Sequence, residues 1–176
     1  VRDVEAFAAV REDGPLIIGN RGTSGIDGLV STAWGAAIAH QDAGGSTAYA
    51  LLGDLAFIHD SNGLVVGSDE PAPDLVIVVV DNDGGGIFSG LEQGDERYAE
   101  DFERVFGTPH GTDLAEMASS MGVPGVYEVN TPEEFDEALA TATQEGSVHV
   151  IVAHTVSRAD EMLVRQHLRE AIATRT

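Results

Sequence analysis

The sequence contains no cysteine and no lysine. The first absence removes disulfides, thiolate nucleophiles and sulfur-ligated metals together. The second leaves arginine as every one of the nine basic residues, set against 30 aspartates and glutamates for a formal net charge of −21. A field of that sign repels phosphate backbones and anionic lipid, which argues against nucleic acid and membrane surfaces as partners. No apolar run approaches the roughly eighteen residues of a membrane-spanning helix. The opening Val1-Arg2-Asp3-Val4-Glu5 lacks the basic-then-apolar order of a secretory signal, so a cytoplasmic location is expected. Apolar residues make up 43% of the chain and charged residues 22%, too apolar a balance for a disordered protein. A length of 176 residues suits one compact domain and is short for two, so residues 1–176 read as a single domain. In so acidic a chain, an anionic ligand needs a local device: backbone amides, a bound cation or a placed arginine.

Glycine is abundant, with 21 residues, and it is clustered. Between the clusters the pattern alternates strand and helix. Leu16-Ile17-Ile18 reads as a first strand, residues 28–40 as a helix of small residues, and residues 48–52 as a second strand. Residues 58–66 read as a short helix stopped by Pro71 and Pro73. The β-branched run at residues 75–80 has no polar alternation, so both of its faces should be buried, as in the centre of a parallel sheet. Residues 112–121 read as a helix capped by Thr112, and 126–129 as a strand. Thr131-Pro132-Glu133-Glu134 then starts a helix with a cap, a proline at the first helical position and an acid three residues on. A strand at 148–153 and an amphipathic helix at 161–173 close the chain. This alternation predicts a doubly wound α/β fold, a mostly parallel sheet with helices on both faces. In such sheets ligands sit beyond the carboxyl ends of the strands, where the glycine-rich turns at 19–28, 53–54 and 81–86 fall.

Asp54 and Asn82 each follow a strand and should project at the same sheet edge. With the Gly84 carbonyl they form an oxygen set suited to a hard cation, and amides near the start of the helix after Asp54 could hold phosphate. The same residues equally suit a plain reading, with Asp54 capping a helix and Asn82 turning a loop. As a residue at a strand end, Asp54 is expected to be replaceable without loss of the fold. Asp81, Asp83, Gly86 and Glu92 imitate positions one, three, six and twelve of a calcium-binding loop, but Gly85 offers no side-chain oxygen at position five, and a strand enters the loop. Gly22-Thr23-Ser24-Gly25 breaks the nucleophile-elbow frame at Ile26, and no lysine exists for a Walker sequence. The histidines at 40, 59, 110, 149, 154 and 167 show no metal spacing and read as structural or exposed.

Gly53-Asp54, followed after 27 residues by Asn82, resembles the thiamine diphosphate motif, which opens with Gly-Asp and closes with Asn. The wider pattern is more specific. It comprises Arg21-Gly22, Gly25-Ile26-Asp27-Gly28, Ser31-Thr32-Ala33, Gly53-Asp54-Leu55, His59-Asp60, residues 82–88 and Phe106-Gly107-Thr108-Pro109-His110. Together these resemble the 2-succinyl-5-enolpyruvyl-6-hydroxy-3-cyclohexene-1-carboxylate synthase branch of the thiamine diphosphate enzymes, which serves menaquinone biosynthesis. The likeness covers nearly the whole chain but only that family's C-terminal, diphosphate-binding domain.

The resemblance implies that Asp54, Asn82 and the Gly84 carbonyl hold Mg2+ (or Mn2+) against the diphosphate. It implies that Ser24, Ile26, Gly53 and Leu55 also contact thiamine diphosphate, with Ile26 propping it into a bent form and Leu55 replacing the second glycine of the general motif. Arg21 and Arg2 match arginines that bind substrate carboxylates, and Ile87 and Phe88 match residues lining the reacting centre. The implied chemistry is decarboxylation of 2-oxoglutarate followed by addition to isochorismate, with the arginines binding carboxylates as bidentate partners. The glutamate that activates the cofactor belongs, in this family, to an N-terminal pyrimidine-binding domain of a neighbouring subunit. A homodimer or homotetramer is therefore expected, and little turnover from this chain alone. The alternatives are another thiamine diphosphate enzyme, of acetolactate synthase or decarboxylase type, and a non-catalytic α/β nucleotide-binding module.

Overall fold

The computed structural model describes residue 8 and residues 12–20, 25–156 and 158–174. Four strands, β1 (Ala48–Gly53), β2 (Leu75–Asp81), β3 (Gly125–Val129) and β4 (Val148–His154), form one parallel sheet in the order β1-β2-β4-β3. Before, between and after them run α1 (Leu29–Asp42), α2 (Asp54–His59), α3 (Ala99–Phe102), α4 (Leu114–Ser120), α5 (Pro132–Glu145) and α6 (Arg158–Ala173).

The unbroken β-branched run of β2 is explained by its place. It pairs with β1 on one side and β4 on the other, and both of its faces are covered. Leu75, Ile77 and Val79, with Val148, Val150 and Val152 of β4, enter a core completed by Val30 and Ala37 of α1, Phe57 of α2, and Leu114 and Ala118 of α4. Val76, Val78 and Ile151 point the other way, against Val129 and against Ala138 and Ala142 of α5. Each such side chain contributes about 1.5–3 kcal/mol by leaving water, so the two middle strands dominate the stability of the sheet. This is the doubly wound α/β arrangement expected from the alternation, and 75–80 is its buried centre.

Local signals account for several boundaries. Thr131 caps α5 by accepting from Glu134 N at 3.2 Å, the Glu134 carboxylate accepts from the amide one residue before the cap, Asn130 N, at 2.7 Å, and Pro132 takes the first helical position. The helix expected from Thr112 starts instead after Asp113, whose carboxylate accepts from Glu116 N at 2.7 Å. The Thr112 hydroxyl is turned back to donate to His110 O at 3.4 Å, and its amide donates to the His110 ring at 3.0 Å.

Two expected elements differ. Leu16, Ile17 and Ile18 form no strand and are 81%, 73% and 65% exposed, for the run pairs with no other strand among the described residues. A short apolar run without a partner leaves its backbone donors and acceptors to water and gains nothing from being pleated. The helix expected at 58–66 begins four residues earlier, directly from β1, and ends at His59, leaving a single 3-10 turn at Ser61–Leu64. The break is caused by Asp60, a buried carboxylate that reaches back 29 residues to accept from Ser31 N at 2.8 Å and Ser31 Oγ at 3.3 Å. It thereby pins the first turn of α1.

Candidate functional site

β1 and β2 end side by side, with Gly53 level with Val80, so Asp54 and the turn after Asp81 emerge together at the carboxyl edge of the sheet. Gly53 closes β1 in an extended conformation and Asp54 opens α2. Asp54 is only 3% exposed. One carboxylate oxygen accepts from Leu55 N at 2.7 Å; the other accepts from Gly84 N at 2.7 Å and Asn82 N at 3.2 Å. Asp54 is thus the peg on which the following glycine turn hangs. A carboxylate holding three backbone amides in a buried site has a structural part in the turn, whatever else it does.

The glycines of that turn are fixed by space. Gly84 has φ +128°, a region side chains rarely adopt. A side chain at Gly85 would strike the Phe106 carbonyl, and one at Gly86 would strike the Asn82 carboxamide. The 106–111 segment lies against the turn. Gly85 N donates to Gly107 O at 2.7 Å, and His110 N and Gly111 N both donate to one Asp83 carboxylate oxygen at 2.9 Å.

One end of the Asn82 carboxamide stands 2.7 Å from Gly84 O and 3.3 Å from Asp54 Oδ2. Turned with its nitrogen inward, it donates to both oxygens and satisfies them without a ligand. Turned with its oxygen inward, it sets that oxygen against Gly84 O and Asp54 Oδ2 with no proton between them, an arrangement a cation would reconcile. Ligands about 2.0–2.1 Å from an octahedral Mg2+ lie about 2.9 Å from their neighbours, and the two separations bracket that value. The donor set is hard and oxygen-only, as magnesium or manganese requires. The three residues therefore fit the ion.

Leu55 and Gly53 flank the peg. Ile87 and Phe88 lie on the turn Gly86–Gly90: Ile87 is 49% exposed, whereas Phe88 packs on Phe106 with ring centres 5.5 Å apart. Ile26 is 43% exposed ahead of α1, outside the hydrogen-bonded group around Asp54. Arg2, Arg21 and Ser24 lie outside the described residues.

Residue-by-residue reading gave His110 and His154 no place at this edge, and took Asp81 only as part of a calcium-loop imitation. His110 Nε2 lies 3.4 Å from Asp54 Oδ2 and 3.9 Å from Asp81 Oδ1, with its side chain 11% exposed. His154, the last residue of β4, reaches Asp81 at 3.1 Å and Glu128 at 3.3 Å. The position of His154 at a strand end beside Asp81 could have been read from the strand pattern. That of His110, brought in by a loop 56 residues from Asp54, could not.

Comparison with known proteins gives this edge its class. The family model for the thiamine pyrophosphate enzyme C-terminal TPP-binding domain matches residues 6–153, and the chain belongs to that family. More particularly, it is 50% identical over 173 residues to the 2-succinyl-5-enolpyruvyl-6-hydroxy-3-cyclohexene-1-carboxylate synthase of Thermobifida fusca (strain YX), covering 98% of this chain and 30% of that protein. It is 47% identical over 175 residues to the synthase of the same name from Nocardia farcinica (strain IFM 10152), covering 99% of this chain and 29% of that one. The chain thus spans about three tenths of the length of these curated relatives. Among solved structures, benzoylformate decarboxylase from Polynucleobacter necessarius superposes with a TM-score of 0.59 at 23% identity, over 73% of this chain and 23% of that one. A likeness at that identity shows the shared fold. Among the described residues, no helix is long and apolar enough to cross a membrane.

Proposed function

We propose that this chain is the diphosphate- and metal-holding part of a synthase that decarboxylates 2-oxoglutarate and joins the remaining succinyl unit to isochorismate in menaquinone biosynthesis. The observation that carries the reading is the convergence of Asp54, the Asn82 carboxamide and Gly84 O at spacings suited to a divalent ion, in a chain half identical to synthases of that name. Asp54, Asn82 and the Gly84 carbonyl would hold Mg2+ or Mn2+. With one anionic group among the three, they leave much of the ion's charge to face a diphosphate. Thiamine diphosphate, once bound, supplies the electron sink for decarboxylation, which no side chain here offers.

The remaining roles fall to this chain's own groups. Gly53 and Leu55 keep the backbone beside Asp54 close enough for the cofactor to approach, and Ser24 and Ile26 hold its body, Ile26 as the prop. Arg21 and Arg2 bind the substrate carboxylates. Ile87, standing open at the end of the glycine turn, and Phe88, held by Phe106, keep water from the reacting carbon. A pyrimidine-binding domain from a neighbouring subunit of a homodimer or homotetramer provides the activating glutamate.

The test is calorimetric titration of the full-length protein with thiamine diphosphate, with and without Mg2+, beside the Asn82→Ala variant, followed by assay of carbon dioxide release and isochorismate consumption. Wild type should bind the cofactor tightly only with the ion, and Asn82→Ala should lose at least about tenfold, the equivalent of one charge-assisted contact. Unchanged affinity in Asn82→Ala would remove the metal assignment. Failure to consume both substrates would remove the substrate assignment.

A further inference from the structure

His110 belongs to no part of the machinery just described, yet its side chain is 11% exposed; its Nδ1 lies 3.9 Å from Asp83 Oδ1, and its Nε2 faces two further carboxylates, Asp54 and Asp81. With them it forms a group whose ligand atoms lie within 4.8 Å of one another, the kind of cluster that could itself hold a metal. The ring's other nitrogen decides between ligand and donor. Nδ1 accepts a hydrogen bond from Thr112 N at 3.0 Å, so in the neutral ring the proton resides on Nε2. An Nε2 that carries a proton has no lone pair for a cation. It points that proton at Asp54 Oδ2, 3.4 Å away.

We propose that His110 is a positioning residue for the metal ligand Asp54, donating from Nε2 to its carboxylate while the Thr112 amide fixes the tautomer. This rests on the reading of Asp54, Asn82 and Gly84 as the cation's ligands. The backbone of the same residue completes the device. His110 N and Gly111 N hold Asp83, and Gly107 O holds Gly85 N, so one short segment grips both the carboxylate and the turn that carries Asn82 and Gly84. Metal-binding groups are commonly oriented by such outer hydrogen bonds, whose loss costs about ten- to a hundredfold in metal affinity.

The test uses the full-length protein, with Mn2+ as probe in the presence of thiamine diphosphate. Calorimetry gives the dissociation constant and electron paramagnetic resonance reports the symmetry of the bound ion. His110→Gln keeps a donor where Nε2 stood and loses the Nδ1 acceptor; His110→Asn keeps the acceptor and loses the donor. We expect His110→Asn to bind Mn2+ about tenfold or more weakly with an altered spectrum, and His110→Gln to stay within about threefold of wild type. Equal losses in the two variants, or none in either, would overturn the proposal. Should His110→Asn fail to fold, His110→Leu takes its place as the variant without a donor: a loss of about tenfold or more there beside near-wild-type His110→Gln upholds the role, and equal binding in the two overturns it. Asn82→Ala, run alongside, separates the two claims. If it binds Mn2+ like wild type, the metal site itself is misassigned; if it fails to bind while both His110 variants bind normally, only the positioning role falls.

Discussion

Replacing Asp54 by asparagine changes almost no volume, so its effect can be worked from hydrogen bonds alone. Both carboxylate oxygens are in use, one by Leu55 N at 2.7 Å and the other by Gly84 N at 2.7 Å and Asn82 N at 3.2 Å. An asparagine has a single acceptor oxygen, and whichever way it turns, its amide group meets a backbone N–H. The better orientation keeps the two bonds to the glycine turn and forfeits the one to Leu55. A hydrogen bond to a charged group is worth about 1.5–3 kcal/mol, and the two that remain become neutral and roughly half as strong. The two weakened bonds together remove about 1.5–3 kcal/mol from the closed turn, even with no metal present. At about 1.4 kcal/mol per factor of ten, amide exchange across residues 82–86 should accelerate about ten- to a hundredfold. Hydrogen–deuterium exchange mass spectrometry on the metal-free full-length protein reads this directly, with the peptide covering α5 as an internal control. Exchange within threefold of wild type across 82–86 would show that the turn is held by its glycines and the 106–111 segment, and that Asp54 is no peg.

Two further outcomes follow from groups elsewhere in the fold. A Cβ at Gly125 would overlap the ring of His149, which is 3% exposed and already bonded through Nε2 to Gly146 O at 2.6 Å, so Gly125→Ala should cost about 1–3 kcal/mol by overpacking. A thermal midpoint within a degree of wild type would contradict this, and adding His149→Ala should recover part of the loss. Tyr127 has its pKa raised above 10.0, first by desolvation and then by the Glu145 carboxylate to which it donates at 3.2 Å. Because the folded state holds that proton more tightly, the contribution is complete below about pH 10, declines above it while only the unfolded chain releases the proton, and is gone beyond the folded pKa. Tyr127→Phe should therefore flatten the fall in stability above pH 10 seen in denaturant titrations, and an unchanged alkaline slope would sink the linkage.

Signals carried by neighbouring residues were legible in the sequence, and signals carried across the fold were not. The run in β2 announced burial on both faces because no polar residue interrupts it, and β4 behaves alike. Thr131, Pro132 and Glu134 specify the start of α5 within four positions, and the structure makes the cap bond that spacing implies. The motif pair Asp54 and Asn82 was readable as a shared edge because parallel neighbours end on the same side. By contrast, α2 begins at a residue preceded by glycine, with no side-chain cap to mark it, and ends because Asp60 is drawn to Ser31. That is a tertiary contact with no local trace. Leu16-Ile17-Ile18 resembles a buried strand in composition, and only the absence of a pairing partner among the described residues separates the two. His110 was discounted because histidine spacing along a chain says nothing of a ring delivered by a loop from beyond the next strand.

The acidity of the chain and its proposed ligand fit together only through the way this edge treats its carboxylates. Asp54, Asp81 and Asp83 crowd one rim of a protein with net charge −21, where a diphosphate should be repelled. Each of the three is nevertheless engaged as an acceptor: Asp54 by three amides, Asp81 by Asp83 N and His154, Asp83 by His110 N and Gly111 N. Such acceptors shape the backbone, and the charge they retain favours the approach of a dication more than of an anion. With no lysine in the chain and the arginines proposed for substrate carboxylates, the proposed metal would be the device that makes a diphosphate acceptable here. On this reading the negative field is no obstacle to the cofactor. It makes binding conditional on the cation, which is why the glycine turn and its neighbouring loop are built to fix oxygens at set distances and supply no positive side chain of their own.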